Sequence, residues 1–583
     1  MSVAGAAATA RPRILTRQMV ETPDGARLCS DVYLPDVEQA RPAILVRTPY
    51  GRSVPLLMQL ALQLARAGFC AVLQDCRGRH RSSGAYDLFY EVDDTHSTLR
   101  WLARQEWCDG RVGLVGISIS SLPNLLVAAR SDPHESQVFG LVNIMGAIDY
   151  HQMCYRSGAL LLHWTLPWTA MMGSARGIAD WRGLDWRQIF RHRPLAGAAR
   201  QTGASDELWR MVVSQPCYGG FWESLTTADG LEGLSPVLHL SGWQDFMLDQ
   251  TLLGWSQLAS RPGAERHRLI IGPWNHRTLF SETAAPAVAD GGFSLREVLV
   301  WWFGRCLGKG GTQAAAGFSL DDRPPVLLHV GDADAWLGAA AFPLPEAQPE
   351  SWFLTSTGRA NGASGGGRLV RRPAAHQGMD AFDYDPADPV PTVGGAVWPF
   401  APAGLAPGPA DQSEVERRAD VLVYSSEPLA QDLTVVGPVR LELWSATSAR
   451  DTDFTGKLVD VDARGAARWV QDGIARGRFR NRRDAEELLE PQRPYRFEIA
   501  LGATAHRFRA GHRLRLEVTS SNFPKFDNHL NSAEPPHTAT AAMVARQTVF
   551  HGGELASCLH LPVLPPAALA ALRLDLPGRG EAR

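Results

Sequence analysis

The chain has 583 residues, too many for one hydrophobic core, so about two to four domains are expected. Hydrophobic residues make up 45% and charged residues 20%, an ordinary globular balance, and the net charge of −3 gives no electrostatic case for nucleic acid or an anionic membrane. No apolar run approaches the roughly 18 residues of a membrane-spanning helix.

In chain order, the first 18 residues, MSVAGAAATARPRILTRQ, lack a sustained apolar stretch, so no secretory signal is expected. Residues 17–34 alternate around the turn Asp24-Gly25 and predict a hairpin. Residues 43–47 and 69–74 read as buried strands, with a helix over 56–67 between them. Asp93-Asp94 reads as the cap of a helix running to about Arg104. Val112, Leu114 and Val115 form another buried strand, followed by a sharp turn at Gly116-Ile117-Ser118 and a helix over 122–130. Residues 138–144 return to strand. Such alternation predicts a parallel sheet covered by helices on both faces.

From 149 to 233 no strand-like run appears, and Trp164, Trp168, Trp181, Trp186, Trp209 and Trp222 give the region an aromatic, helical texture. Strands return at 236–240 and 267–271, and 295–307 reads as a helix. Short β runs without helices then follow from Val326 to His551. The predicted fold is therefore an α/β core over 1–148 and 234–345, a helical cap inserted over 149–233, and an all-β jelly roll over 346–583.

The turn at Ser118 has the strand–turn–helix context of a nucleophile elbow. A serine hydroxyl needs a base, and the base needs an acid to hold its tautomer. In this fold the order is Ser, acid, His, each after a strand. Strand 236–240 runs into Ser241-Gly-Trp-Gln-Asp245, and strand 267–271 into Gly272-Pro-Trp-Asn-His276. The expected triad is Ser118, Asp245 and His276, with Asp249 as the alternative acid. The expected oxyanion donors are the Ile119 amide and the Tyr50 hydroxyl. Trp164, Trp168, Trp243 and Phe246 are the candidate substrate-binding side chains. Asp75 and Arg77 read as a structural ion pair or turn lock, and Asn522, Asp527 and Asn528 as either site loops or turn chemistry. No His spacing of the HExxH kind occurs, so neither metal nor organic cofactor is expected. Eight scattered Cys with no CxxC pair are expected as free thiols in a reducing cytoplasm.

These stretches resemble the cocaine-esterase and X-prolyl dipeptidyl aminopeptidase group of α/β-hydrolases. The resemblance rests on DGARLCSDVYLP (24–35), VRTPYGR (46–52), LQDCRGRHRSSG (73–84), EWCDGRVGLVGISIS (106–120), SGWQDF (241–246), IIGPWNH (270–276), TDFTGKLVDVDARG (452–465), DGIARGRFR (472–480) and GHRLRLEVTSSNFPKFDNH (511–529). It implies the same triad, the same oxyanion hole, and the same three-part architecture. Ile119 stands where the family commonly has Tyr, and Ser120-Ser121 replaces a more glycine-rich continuation. The expected activity is serine hydrolysis of an ester or amide through an acyl-enzyme, first as a carboxylic-ester hydrolase on a small or aromatic acyl group. The rival readings are an X-prolyl dipeptidyl aminopeptidase, an α-amino acid ester hydrolase or acyltransferase, and, outside enzymes, an inactive jelly-roll binding protein. The expected partner is a small-molecule substrate, without nucleic acid or membrane; a homodimer is left open.

Overall fold

The computed structural model describes residues 11–130, 138–174, 181, 183–227, 231, 234–280, 294–308, 318–333 and 335–574. Its first sheet runs Arg13–Glu21, Arg27–Leu34, Cys70–Asp75, Arg41–Thr48, Cys108–Ile117, Val138–Ile144, Val237–Gly242, Arg268–Gly272, Val326–Val330, Ala335–Ala339, Arg573–Leu574. The strands from Cys70–Asp75 through Val326–Val330 are parallel. Their apolar residues point both ways because both faces are covered. On one face Leu57, Leu60 and Leu64 of helix Pro55–Arg66 pack with Val298, Trp302 and Phe303 of helix Leu295–Leu307. On the other, Leu99 and Leu102 join Leu125, Val127 and Leu258. The carboxyl ends of all these strands share one sheet edge, which is where open parallel sheets carry their sites.

The helix after Tyr90 begins at Glu91 and ends at Leu102, so Asp93-Asp94 does not cap it. Asp94 lies buried in the first turn, where Arg77 donates to it at 2.6 Å and Arg47 at 3.4 Å. A carboxylate taken from water needs such partners, and the two arginines supply them. Asp75 and Arg77 do not pair with each other: Asp75 holds Arg52, and accepts the Arg52 amide at 2.7 Å.

The insertion after strand Val138–Ile144 carries helices Tyr150–Cys154, Leu162–Met172, Trp186–Phe190, Glu207–Val213 and Gly220–Glu223, with a small hairpin, Tyr155–Arg156 against Ala159–Leu160. Its residues 175–180, 182, 228–230 and 232–233 lie outside the described residues. Its aromatics form one cluster with Ile119 and Phe246 of the core and with Ile474, Phe523 and Phe526 of the C-terminal part, so the three parts share a core at the sheet edge.

From Gln348 to Val563 the chain is β-rich, closed around Leu441, Phe454, Leu458, Phe497, Ile499 and Leu516. Strand Val326–Val330, the first of the late β runs, belongs to the first sheet, within the expected core range 234–345. The far end of the chain joins the same sheet. After helix Pro566–Leu572, Arg573 and Leu574 pair with Leu337 and Trp336. Leu574 packs where Gly338 has no Cβ; one there would meet Leu574 Cδ1 at 2.4 Å. The segment expected to be wholly jelly roll thus ends back on the core, because Leu574 finds apolar cover there. Among the described residues no helix is long and apolar enough to cross a membrane.

Candidate active site

Strand Cys108–Ile117 ends and helix Ser121–Arg130 begins around Ser118, whose φ is +58°. A non-glycine residue in that region is strained, and the surroundings must hold it there. Two glycines permit it. A Cβ on Gly116 would sit 2.5 Å from Ser121 Cα, and one on Gly146 would sit 2.0 Å from Ser121 Oγ. The Ala147 amide donates to the Ser118 carbonyl at 3.2 Å, tying the turn to the next strand end.

The strained turn lifts the Ser118 hydroxyl to within 3.0 Å of His276 Nε2. On the far side of the ring, Nδ1–H donates to Asp245 Oδ1 at 2.9 Å. Asp245 is 2% exposed and fully engaged. The Met247 amide donates to its Oδ1 at 3.0 Å, and the Ser241 hydroxyl to its Oδ2 at 3.0 Å. Those donors satisfy the buried carboxylate and leave one oxygen aimed at the imidazole. Phe246 lies against the His276 ring, with centroids 4.7 Å apart. An imidazole between a hydroxyl and a buried carboxylate can take the hydroxyl proton and carry the resulting charge.

Tyr50 follows strand Arg41–Thr48. Trp168 Nε1–H donates to its oxygen at 3.1 Å. Burial pushes the phenol up to about 12, against the opposing influence of Trp168 and Ser118. With one lone pair taken by Trp168, its own O–H is free to point into the site. Arg79 braces the loop, donating to the Pro49 carbonyl at 3.1 Å and to Met172 at the cap helix end at 2.9 Å.

Beside the elbow opens a cavity of about 340 Å³ whose wall includes Ile119, Tyr150, Trp164, Trp168, Phe221 and Trp222. Of its lining residues only Asp87 and Glu207 are charged. Among the described residues no group of three or more His, Cys, Asp or Glu is arranged to hold a metal ion.

Comparison with known proteins meets this geometry. Residues 24–278 match the X-Pro dipeptidyl-peptidase (S15 family) model, and residues 317–560 match the X-Pro dipeptidyl-peptidase C-terminal non-catalytic domain. Cocaine esterase from Rhodococcus sp. (strain MB1 Bresler) is 32% identical, over 94% of this chain and 98% of its own length. The chain belongs to the family of cocaine esterase and X-Pro dipeptidyl-peptidase. It is a serine hydrolase. Two solved structures share the fold at TM-score 0.79, each covering 97% of this chain and 98% of its own: an aminopeptidase from a marine sediment archaeon, Thaumarchaeota archaeon, at 22% identity, and an α-amino acid ester hydrolase at 23%.

Most residues expected from sequence converge in this S15-family site. Ser118, Asp245, His276, Tyr50 and Ile119 meet at the sheet edge, and Trp164 and Trp168 line the cavity. Phe246 stands between His276 and Trp164, 5.8 Å from the latter. Trp243 does not line that cavity: its indole N–H donates to the His329 carbonyl at 2.6 Å and its ring packs toward Phe342. Asp249 pairs with Arg156 rather than His276. Asn522, Asp527 and Asn528 are locks. Asp527 accepts Arg476 and the Leu160 amide, Asn522 donates to Asp472, and Asn528 donates to the Pro386 carbonyl.

Several contributors escaped the sequence reading. Ser241 and Met247 bind the acid. Tyr150 O–H donates to the Ile119 carbonyl at 2.6 Å, fixing the residue after the nucleophile. Ser241 and Met247 flank Asp245 in the same loop, which was the available signal; nothing in the sequence links Tyr150 to Ile119, 31 residues away.

Proposed function

We propose that this protein is a carboxylic-ester hydrolase working through an acyl-enzyme on Ser118, with an acyl group that is aromatic or otherwise bulky and apolar. The observation that carries the reading is the His276 imidazole held between Ser118 Oγ at 3.0 Å and Asp245 Oδ1 at 2.9 Å. His276 removes the Ser118 proton as Oγ attacks the ester carbonyl, while Asp245 holds the tautomer and stabilises the imidazolium. The oxyanion forms between the Ile119 amide and the Tyr50 hydroxyl. His276 then protonates the leaving alcohol and, in the second half, draws a proton from water to release the acid.

The cavity supports the acyl preference. It lies on the Ile119 and Trp168 side of the nucleophile, and aromatic walls favour an apolar group. An aminopeptidase would need carboxylates enclosed with the substrate ammonium. Here Glu207 is exposed, and Asp87 already accepts the Phe89 amide at 2.9 Å.

A fluorophosphonate probe should label the wild type and leave Ser118→Ala unlabelled; an unlabelled wild type would favour a binding protein. Among p-nitrophenyl esters, benzoyl-sized acyl groups should exceed acetate in kcat/KM by roughly tenfold, the worth of about two buried methylenes. Faster cleavage of X-prolyl or aminoacyl anilides than of any ester would move the assignment to the peptidase reading. Tyr150→Phe deletes one hydrogen bond on the elbow, so kcat should fall about tenfold with KM little changed. Equal changes in both constants would mean that Tyr150 only shapes the cavity.

A further inference from the structure

Behind the triad, where core, cap and β-rich part meet, lies a cavity of about 30 Å³. Its wall includes Asp245 and Phe246 on the core side and Asp472 and Lys525 on the β-rich side. A space of that size holds about one water, so little solvent screens charges across it. The Lys525 ammonium pairs with the Asp472 carboxylate, and each residue is 6% exposed. Asp472 also accepts Trp469 Nε1–H at 2.9 Å and Asn522 Nδ2–H at 3.4 Å. Burial pushes the Asp472 carboxyl up, but Lys525, Lys457 and Trp469 more than offset it and hold it ionised. The same segment reaches the base by contact. His163 Nδ1–H donates to the Lys525 carbonyl at 3.0 Å, His163 meets Phe246 at 5.7 Å, and Phe246 meets His276 at 4.7 Å.

We infer that Lys525 and Asp472 are positioning residues of the hydrolytic reaction, an ion pair borne by the β-rich part whose balanced field sets how readily the Asp245–His276 couple carries a proton. The inference rests on the Ser118–His276–Asp245 reading. The other charged or titratable groups facing the space are Arg156 and Asp249, which pair with each other; Lys457 stands behind Asp472, and His163 is kept neutral by burial, down to about 3. Neutralising one member of the Lys525–Asp472 pair therefore unbalances the cavity that Asp245 also lines: Asp472 keeps Lys457 and Trp469, whereas burial pushes Lys525 down and Asp472 beside it is the main offset.

The signs differ by variant. Lys525→Met leaves the Asp472 anion, which favours the imidazolium, so the acid limb of kcat/KM should move to higher pH by about half a unit or more. Asp472→Asn removes the carboxylate that offsets burial at Lys525, so the ammonium that remains opposes the imidazolium and the limb should move to lower pH, by less than in K525M. The double variant K525M/D472N, and Lys525→Arg, should return it to the wild-type position. The profiles are read with a p-nitrophenyl ester, on protein that melts above the assay temperature. If K525M does not fold, D472N, which changes one oxygen for an amide nitrogen, carries the test alone. A purely structural pair would lower activity without opposite shifts. Limbs that coincide, or that move the same way in both single variants, overturn the inference. Hydrolysis surviving in Ser118→Ala would instead overturn the triad reading on which it rests.

Discussion

Replacing His276 by alanine is expected to lower kcat on an activated ester by on the order of 10⁴- to 10⁶-fold, with KM little changed. The imidazole hydrogen-bonds both Ser118 Oγ and Asp245, and it is the base in that chain. Without it the hydroxyl must lose its proton to solvent, from a site where Ser118 is 6% exposed. Asp245, 2% exposed, would keep the Ser241 and Met247 donors, so the carboxylate stays satisfied. The fold should therefore survive, and the melting temperature should move little. His276 follows strand Arg268–Gly272 in a loop, not inside the sheet. Steady-state kinetics beside a melting curve make the check. More than about one per cent residual kcat would remove His276 from the proton-transfer step, since loss of a triad base leaves far less.

Tyr50→Phe is the second large effect. It removes one oxygen and leaves the ring to fill the same space, so packing against Trp168 persists. The oxyanion then keeps only the Ile119 amide. Loss of one donor of this kind typically costs about 2.7–4 kcal/mol in the barrier, or roughly 10²–10³ in kcat. Because burial pushes the phenol up to about 12, Tyr50 is protonated and a donor throughout the neutral range. The wild-type pH profile should therefore show no loss of activity from Tyr50 ionisation below that region. A kcat within about threefold of wild type in Tyr50→Phe would place the second donor elsewhere.

The triad was legible because its cues are local. Each of the three residues stands just past a short apolar run, and parallel strands deliver their carboxyl ends to one edge whatever lies between them. The sharp turn at Ser118 was legible in the same way, from Gly116 and the helix that follows, whereas its positive φ came from the structure. Trp243 was misjudged on equally local grounds. It neighbours the acid in sequence, but its indole N–H is taken up by the His329 carbonyl. Asp94 looked like a helix cap; two distant arginines make it a buried ion-pair partner instead.

What the sequence determined by itself was therefore the order of strands, helices and strand-end residues, since hydrophobic periodicity and turn chemistry act over a few neighbouring positions. Tertiary structure alone decided which side chains hold that machinery in place. Tyr150 finds Ile119 across 31 positions, Lys525 and Asp245 come to line one small cavity from different parts of the chain, and Leu574 closes onto the core beside Gly338. Such pairings depend on which faces meet after folding. A buried donor or charge takes the partner that packing brings within reach, and no local pattern records which one that is.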